Sequence, residues 1–214
     1  MSDPASVTAI VPLRTGGKTR LSPFLRPHER SALAGAMLAD VAAALREAGL
    51  GRIVVAAEGP SAVAAAGALG LETVPDADGG HGLDHALRQA TARLRATEAL
   101  LVVAADLPRL TSADVAVVLA APTPVVVAPT RDGGTGGLLR RPPDVIATAY
   151  GPGSAAAHRR LAAAAGVEAS TVSRRGFAHD VDTVADLDEL RARGVGPATA
   201  RVLNRLGHHG RAVG

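Results

Sequence analysis

A chain of 214 residues, 47% of them apolar, is long enough to enclose a proper core and suits one α/β domain. Aromatic residues make up only 1% (Phe24, Tyr150, Phe177), so Ala, Val and Leu must build that core, and the stacking platforms that single-stranded nucleic acid needs are missing. The 23 Lys and Arg residues nearly balance 20 acidic ones with no long basic block, and the lack of cysteine excludes a disulfide framework, a thiolate metal site and a cysteine nucleophile.

A pI near 10.4 then fits anionic small molecules as well as it fits nucleic acid. No run of about 18 apolar residues and no signal-like start is present, so a soluble, unprocessed, cytoplasmic protein with no membrane partner is expected.

The apolar run Val7 to Leu13 predicts a first strand, followed by a glycine-bearing turn that carries Arg14, Lys18 and Arg20. Lys18 is the one lysine of the chain. Guanidinium forks and an ammonium on flexible backbone fit a polyphosphate site, and a solvated basic loop explains them equally well. A helix is expected over Glu29 to Glu47, where Leu33, Met37, Val41 and Leu45 recur on one face. Arg52 to Ala57 predicts the next strand. Gly79-Gly-His-Gly-Leu-Asp84 is a second glycine turn, placing Gly80, Gly82 and Asp84 before a helix over Leu83 to Arg95. The run Ala99 to Asp106 drives an apolar strand into a carboxylate, costly to bury without a cation or metal, and the spacing puts Asp106 too far upstream to cap the helix expected from Thr111. A Mg²⁺ ligand is the favoured role, since Mg²⁺ takes one or two carboxylates plus substrate phosphates.

Val125 to Pro129 is a further strand, leading into Thr130-Arg-Asp-Gly-Gly-Thr-Gly-Gly137, which reads either as an anion-binding nest or as a hairpin turn on Asp132-Gly133. Tyr150-Gly-Pro-Gly-Ser154 opens a helix to Ala165 whose first amides suit an anion, with His158, Arg159 and Arg160 adding positive charge. Around His179 to Asp182 an extended piece would point Asp180 and Asp182 to one side, and Thr183 with Asp186 makes a capping box for a helix over Val184 to Arg193. Gly194 ends that helix and Pro197 starts another over Ala198 to Leu206. Strands alternating with helices predict a doubly wound, mostly parallel sheet, with ligands beyond the strands' carboxyl ends. Two rival readings are weaker. Gly17-Lys-Thr19 would need a glycine where Pro12 stands to make a Walker A loop, and Gly194-Val-Gly-Pro-Ala-Thr-Ala200 resembles the turn of a DNA-binding helix-hairpin-helix.

Taken in order, Lys18-Thr-Arg-Leu21, Asp106-Leu-Pro108, Arg131-Asp-Gly-Gly-Thr135, Gly151-Pro-Gly-Ser154 and Asp180-Val-Asp-Thr183 resemble the phosphoenolpyruvate or 2-phospho-L-lactate guanylyltransferases of coenzyme F-420 biosynthesis, with a closing segment like the actinobacterial branch. The resemblance, over residues 7 to about 206, implies a nucleotide-diphospho-sugar transferase fold (Rossmann-like, GT-A type); a single domain over 1–206 is expected, and the closing Gly207 to Gly214 reads as a flexible tail. It implies GTP and phosphoenolpyruvate as substrates, giving enolpyruvyl-diphospho-5'-guanosine and pyrophosphate. Lys18, Arg20 and Asp106 would be catalytic. Arg14, Lys18, Arg20, Gly80, Gly82 and Asp84 would hold the nucleotide; Thr135, Gly151 and Ser154, phosphoenolpyruvate; and Asp106 with Asp180 or Asp182, Mg²⁺. The family often has asparagine where Asp84 and Gly136 stand, and lysine where Arg14 stands. 2-Phospholactate, 3-phosphoglycerate and sugar phosphates stay open as acceptors, as do a homodimer and a DNA-binding module.

Overall fold

The computed structural model describes residues 3–14, 19–75, 82–94 and 97–209. Strands β1 (Val7–Arg14), β2 (Arg52–Glu58), β3 (Glu72–Pro75), β4 (Ala99–Val103), β5 (Val125–Pro129), β6 (Thr135–Arg140) and β7 (Ala169–Thr171) form one sheet in the order β3-β2-β1-β4-β6-β5-β7. β6 pairs antiparallel with both β4 and β5, and every other pairing is parallel. The chain leaves β1 towards β2 and β3 and returns on the other side as β4. That reversal between β1 and β4 opens a crevice at their carboxyl ends, where doubly wound sheets place ligands.

Eight α-helices cover the sheet among the described residues: α1 (Pro27–Glu47), α2 (Pro60–Gly67), α3 (Leu83–Arg93), α4 (Ser112–Ala120), α5 (Ser154–Ala164), α6 (Arg175–Ala178), α7 (Val184–Arg193) and α8 (Pro197–His209). The period-2 alternation of the strands decides which face each residue serves. Val7, Ala9, Val11 and Leu13 of β1 pack with Leu38, Val41 and Leu45 of α1, Val115 and Val118 of α4, and Phe177 of α6. Ile10, with Leu100 and Val102 of β4, faces Leu87 and Ala90 of α3 and Ala155 and Ala162 of α5. A third cluster uses α1's other stripe, Leu33 and Met37, against Leu187 and Leu190 of α7 and Val202 and Leu203 of α8. Burying a Leu or Val side chain contributes roughly 1.5–3 kcal/mol, so many small contacts replace the aromatics the chain lacks.

Several elements differ from expectation. β4 stops at Val103 instead of Asp106, because Asp106 and Pro108, which has no N–H, cannot continue a buried ladder; only Ala104 N–H still reaches across, to Gly136 O (3.0 Å). α1 starts at Pro27, two residues early, since proline suits the first helical turn and Glu29 caps the Arg26 N–H (2.7 Å). His179–Asp182 is not a strand but the connection between α6 and α7. α8 runs on to His209, past the expected end at Leu206. β3, β6, β7 and α6 carried too few apolar residues in a row to be read from the sequence, and α2, only eight residues long, is apolar over Ala62 to Ala66 without a clear face.

The Gly133-Gly-Thr-Gly-Gly137 stretch is a hairpin, not an anion nest, because its turn amides are already used. Gly133 N–H donates to Thr130 O (3.2 Å) and Gly134 N–H to Asp132 Oδ1 (3.1 Å). Gly136 and Gly137 serve packing: a Cβ on Gly136 would collide with the Phe177 carbonyl, and one on Gly137 would lie 2.7 Å from the Phe177 ring. Two bare residues on β6 thus let α6 lie directly on the sheet.

The helix-hairpin-helix reading meets a physical obstacle. Asp40 of α1, which is buried, accepts from Ala198 N–H (2.9 Å) and Thr199 N–H (2.8 Å), so the amides a DNA phosphate would use are already occupied. Gly196 lacks a side chain because a Cβ there would run into the Asp40 carboxylate.

Candidate functional site

A cleft of about 340 Å³ opens where the sheet reverses. Pro12, Leu13 and Arg14 from β1, Ala56 and Glu58 from β2, Ala104 to Asp106 after β4, and Asp182 line it together with residues of α1 and α3. The α7 capping box fixes the Asp182 end: Asp186 Oδ2 accepts from Asp182 N–H (3.0 Å) and Thr183 N–H (2.7 Å). Thr183 and Asp186 therefore have the capping role their spacing indicates.

Asp106, Asp180 and Asp182 come together although the two segments lie far apart in sequence. Burial pushes the Asp180 carboxyl up to about 6, and the negative charges of Asp106, Asp132 and Asp182 add to the effect. Asp132 is itself held below the usual carboxylate range by the Thr130 hydroxyl and the Gly134 amide, so it stays ionised beside Asp180. Such an all-oxygen cluster, destabilised by its own repulsion, suits a hard divalent cation. Among the described residues no group of three or more His, Cys, Asp or Glu side chains is arranged to hold a metal by itself.

The cation side is less complete. Lys18 and Gly80 lie outside the described residues. Arg20 is exposed in the short 3-10 turn Thr19–Leu21. Arg14 pairs through Nε with Glu58 at the rim, so this guanidinium is engaged by the protein itself. Gly82 supplies the positive φ (82°) that leads into α3. Asp84 has a structural partner: both its carboxylate oxygens accept from Tyr150 N–H, each at 3.1 Å. Its position in the first turn of α3 lets it reach the loop before α5, a contact sequence spacing could not show.

Thr135, Gly151 and Ser154 do converge. Thr135 Oγ1 and Ser154 Oγ lie 3.0 Å apart, and Ser154 N–H donates to Gly151 O (3.1 Å). Gly153 caps α5 at φ 70°, a conformation glycine adopts without strain. The expectation that the first amides of α5 bind an anion is corrected, since backbone carbonyls already occupy them: Gly151 O for Ser154, Gly133 O for Ala155, and Gly153 O for Ala156 and Ala157. Side-chain hydroxyls remain as donors. Arg131 pairs with Glu189 (3.2 Å) and lies 3.8 Å from Asp186, tying the hairpin to α7.

His158 is also corrected. It is fully buried, and that burial, helped by Arg140, pushes its imidazole down to about 4, so it is neutral and adds no positive charge. Its Nδ1 lies 3.1 Å from Thr135 Oγ1, its Nε2 accepts from Ala149 N–H (3.0 Å), and the Tyr150 ring packs edge-on at 5.0 Å. The signal for it was present, because His158 follows Ser154 by four residues and so shares its helix face. β6 connects the two halves of the site: Thr135 begins it, and the next residue bonds Ala104, two residues before Asp106.

A family model described as guanylyl transferase CofC-like matches residues 7–211. The chain is similar to a phosphoenolpyruvate guanylyltransferase of Rubrobacter xylanophilus (38% identity over 199 residues, 88% of this chain and 95% of that one). It is also similar to a 2-phospho-L-lactate guanylyltransferase of Methanothermobacter thermautotrophicus (33% over 203 residues, 92% and 90%). Among solved structures, a nucleotide-diphospho-sugar transferase from Desulfovibrio desulfuricans G20 shares the fold at TM-score 0.72 with 16% identity, covering 94% of this chain and 98% of that one. A manganese complex of Rv0371C from Mycobacterium tuberculosis H37Rv shares it at TM-score 0.56 with 21% identity, covering 86% and 96%. With a nucleotidyltransferase sheet, a carboxylate cluster at its reversal point and a family match over nearly its whole length, the chain belongs to the CofC-like guanylyl transferases.

Proposed function

We propose that the chain transfers the guanylyl group of GTP to phosphoenolpyruvate, a step in making coenzyme F-420. An oxygen of the phosphoenolpyruvate phosphate attacks the α-phosphorus of GTP, the bond from that phosphorus to the α,β-bridging oxygen breaks, and pyrophosphate leaves. Enolpyruvyl-diphospho-5'-guanosine is the product. No protein nucleophile is required, so the protein's work is positioning and charge stabilisation. The observation that supports the reading is that β6 links the two groups: it begins at Thr135, which pairs with Ser154, and its next residue, Gly136, accepts from Ala104 N–H two residues before Asp106.

In this reading Asp106 with Asp180 or Asp182 holds Mg²⁺. When bound, the ion would neutralise phosphate charge and stabilise the leaving pyrophosphate. Lys18 and Arg20 hold the triphosphate. Thr135 and Ser154 present hydroxyls to the anionic acceptor, and Gly151 lets it approach the backbone closely. Asp84 acts indirectly, fixing the acceptor loop through Tyr150.

Pyrophosphate release from purified protein with Mg²⁺ and GTP, against phosphoenolpyruvate, 2-phospholactate and 3-phosphoglycerate in parallel, tests the reading. Turnover is expected with phosphoenolpyruvate. Faster turnover with 2-phospholactate would reassign the acceptor to that of the Methanothermobacter relative, and no turnover with any of the three would refute the phospho-acid reading.

A further inference from the structure

His158 takes no part in the reaction just described, yet it is fully buried and every polar atom of its ring is committed. A ring nitrogen that accepts a hydrogen bond carries no hydrogen. Nε2 accepts from the Ala149 amide, which can only donate, so the neutral ring carries its hydrogen on Nδ1. Nδ1–H then donates to Thr135 Oγ1. Two hydroxyl hydrogens remain, those of Thr135 and Ser154, and one of them closes the 3.0 Å bond between the two oxygens. The other has no acceptor among the described residues. With the opposite tautomer Thr135 would donate to the ring, Ser154 would donate to Thr135, and none would be left over. Because the amides of Ser154 to Ala157 are bound to backbone carbonyls, that remaining hydroxyl hydrogen is the side-chain donor this end of the helix can offer an anion.

Resting on the acceptor-site reading above, we infer that His158 is a positioning residue: the Ala149 amide sets its tautomer, and its Nδ1–H keeps one hydroxyl hydrogen of the Thr135–Ser154 pair turned out towards the acceptor's anionic group. The surrounding groups hold this state. Asp84 pins the Tyr150 amide next in sequence to Ala149, the Tyr150 ring packs on the imidazole, and burial, with Arg140 adding to it, keeps the ring neutral against the Asp84 charge, which favours protonation.

The test compares His158→Asn with His158→Gln in steady-state kinetics on phosphoenolpyruvate and GTP, each variant checked by thermal melting. An asparagine amide can stand in for Nδ1–H and donate to Thr135, whereas a glutamine amide reaches the Nε2 position and serves only Ala149. His158→Gln is expected to raise the phosphoenolpyruvate KM roughly tenfold or more, the size expected for losing a hydrogen bond to a charged group, with the GTP KM unchanged. His158→Asn is expected to stay within about threefold of the unsubstituted protein, since the donor is restored. Equal acceptor KM values for the two variants, or GTP and acceptor KM rising together, would overturn the inference, because a packing role alone predicts one or the other. Ser154→Ala separates the two readings: if it leaves the acceptor KM unchanged the acceptor site itself lies elsewhere, and if it raises that KM while the His158 variants do not diverge, only the positioning role falls.

Discussion

The two halves of the site solve burial in opposite ways. At the end of β4 and in the α6–α7 connection, carboxylates gather, and Asp180 is pushed up to about 6 by desolvation and by its acidic neighbours. At the start of β6 and α5, neutral groups are buried with a partner for each ring nitrogen, and His158 is pushed down to about 4. The repulsion felt by Asp180 in the first half is of the kind a bound cation would relieve. The second is already organised before substrate arrives. A reaction between two polyanions needs both, a charge sink for the phosphates and fixed donors for orientation.

Removing the charge sink should have the largest effect. Asp106→Ala is expected to lower kcat by about a thousandfold or more while the melting temperature stays near that of the parent, since an unfavourable charge is lost with the ligand. Near-normal Mg²⁺-dependent turnover would break the contrast between the halves.

Acid should act on the second half through His158. Its folded value, about 4, lies below the ordinary 6.5, so the unfolded chain binds the proton first as pH falls. The contribution to stability is complete above pH 6.5 and is lost as pH drops to about 4, a change on the order of 3 kcal/mol. Chemical denaturation between pH 7 and 4 should show that decline, flattened in His158→Asn; an unflattened curve would assign it to other groups.

Joining the halves is the role of bare backbone on β6. Gly136→Ala should push the Phe177 backbone away and cost about 1–3 kcal/mol, moving the Asp180 connection away from Asp106. Loss of activity beyond the loss of folded protein would show that the sheet-to-α6 contact aligns the halves; a fully active folded variant would show that it does not.

The smallest expected change sharpens the second half alone. Thr135→Val removes the acceptor of His158 Nδ1–H and leaves a buried donor unpaired, so a stability loss of about 1–3 kcal/mol should accompany a raised acceptor KM. Ser154→Ala removes no such partner from the ring and should melt closer to the parent. Identical melting of the two variants would mean that Thr135 is not the centre of the network.

Much was legible before the fold was known. Asp106 stood out because an apolar strand ran into a carboxylate, and the Thr183–Asp186 and Thr111 caps were readable from local spacing. Sequence left the Gly136 and Gly137 stretch open between an anion nest and a hairpin, because the ring these glycines accommodate comes from Phe177, about forty residues later. The contact of Asp84 with Tyr150 was not legible for a similar reason, its partner being brought to it only by the packing of α3 and the α5 loop on one face of the sheet. His158 was taken for a cation because sequence reports a residue's type but not its solvation.

The sequence by itself determined the alternation of strands and helices, the caps, the chemistry of each candidate side chain and the family, since these depend on periodicity, local hydrogen bonding and motif order. Only the tertiary structure decided which carboxylates meet, which amides are already occupied and which way the imidazole presents its hydrogen. Those depend on burial and on partners distant in sequence, and a buried group's charge and hydrogen-bond direction follow from what the fold places beside it.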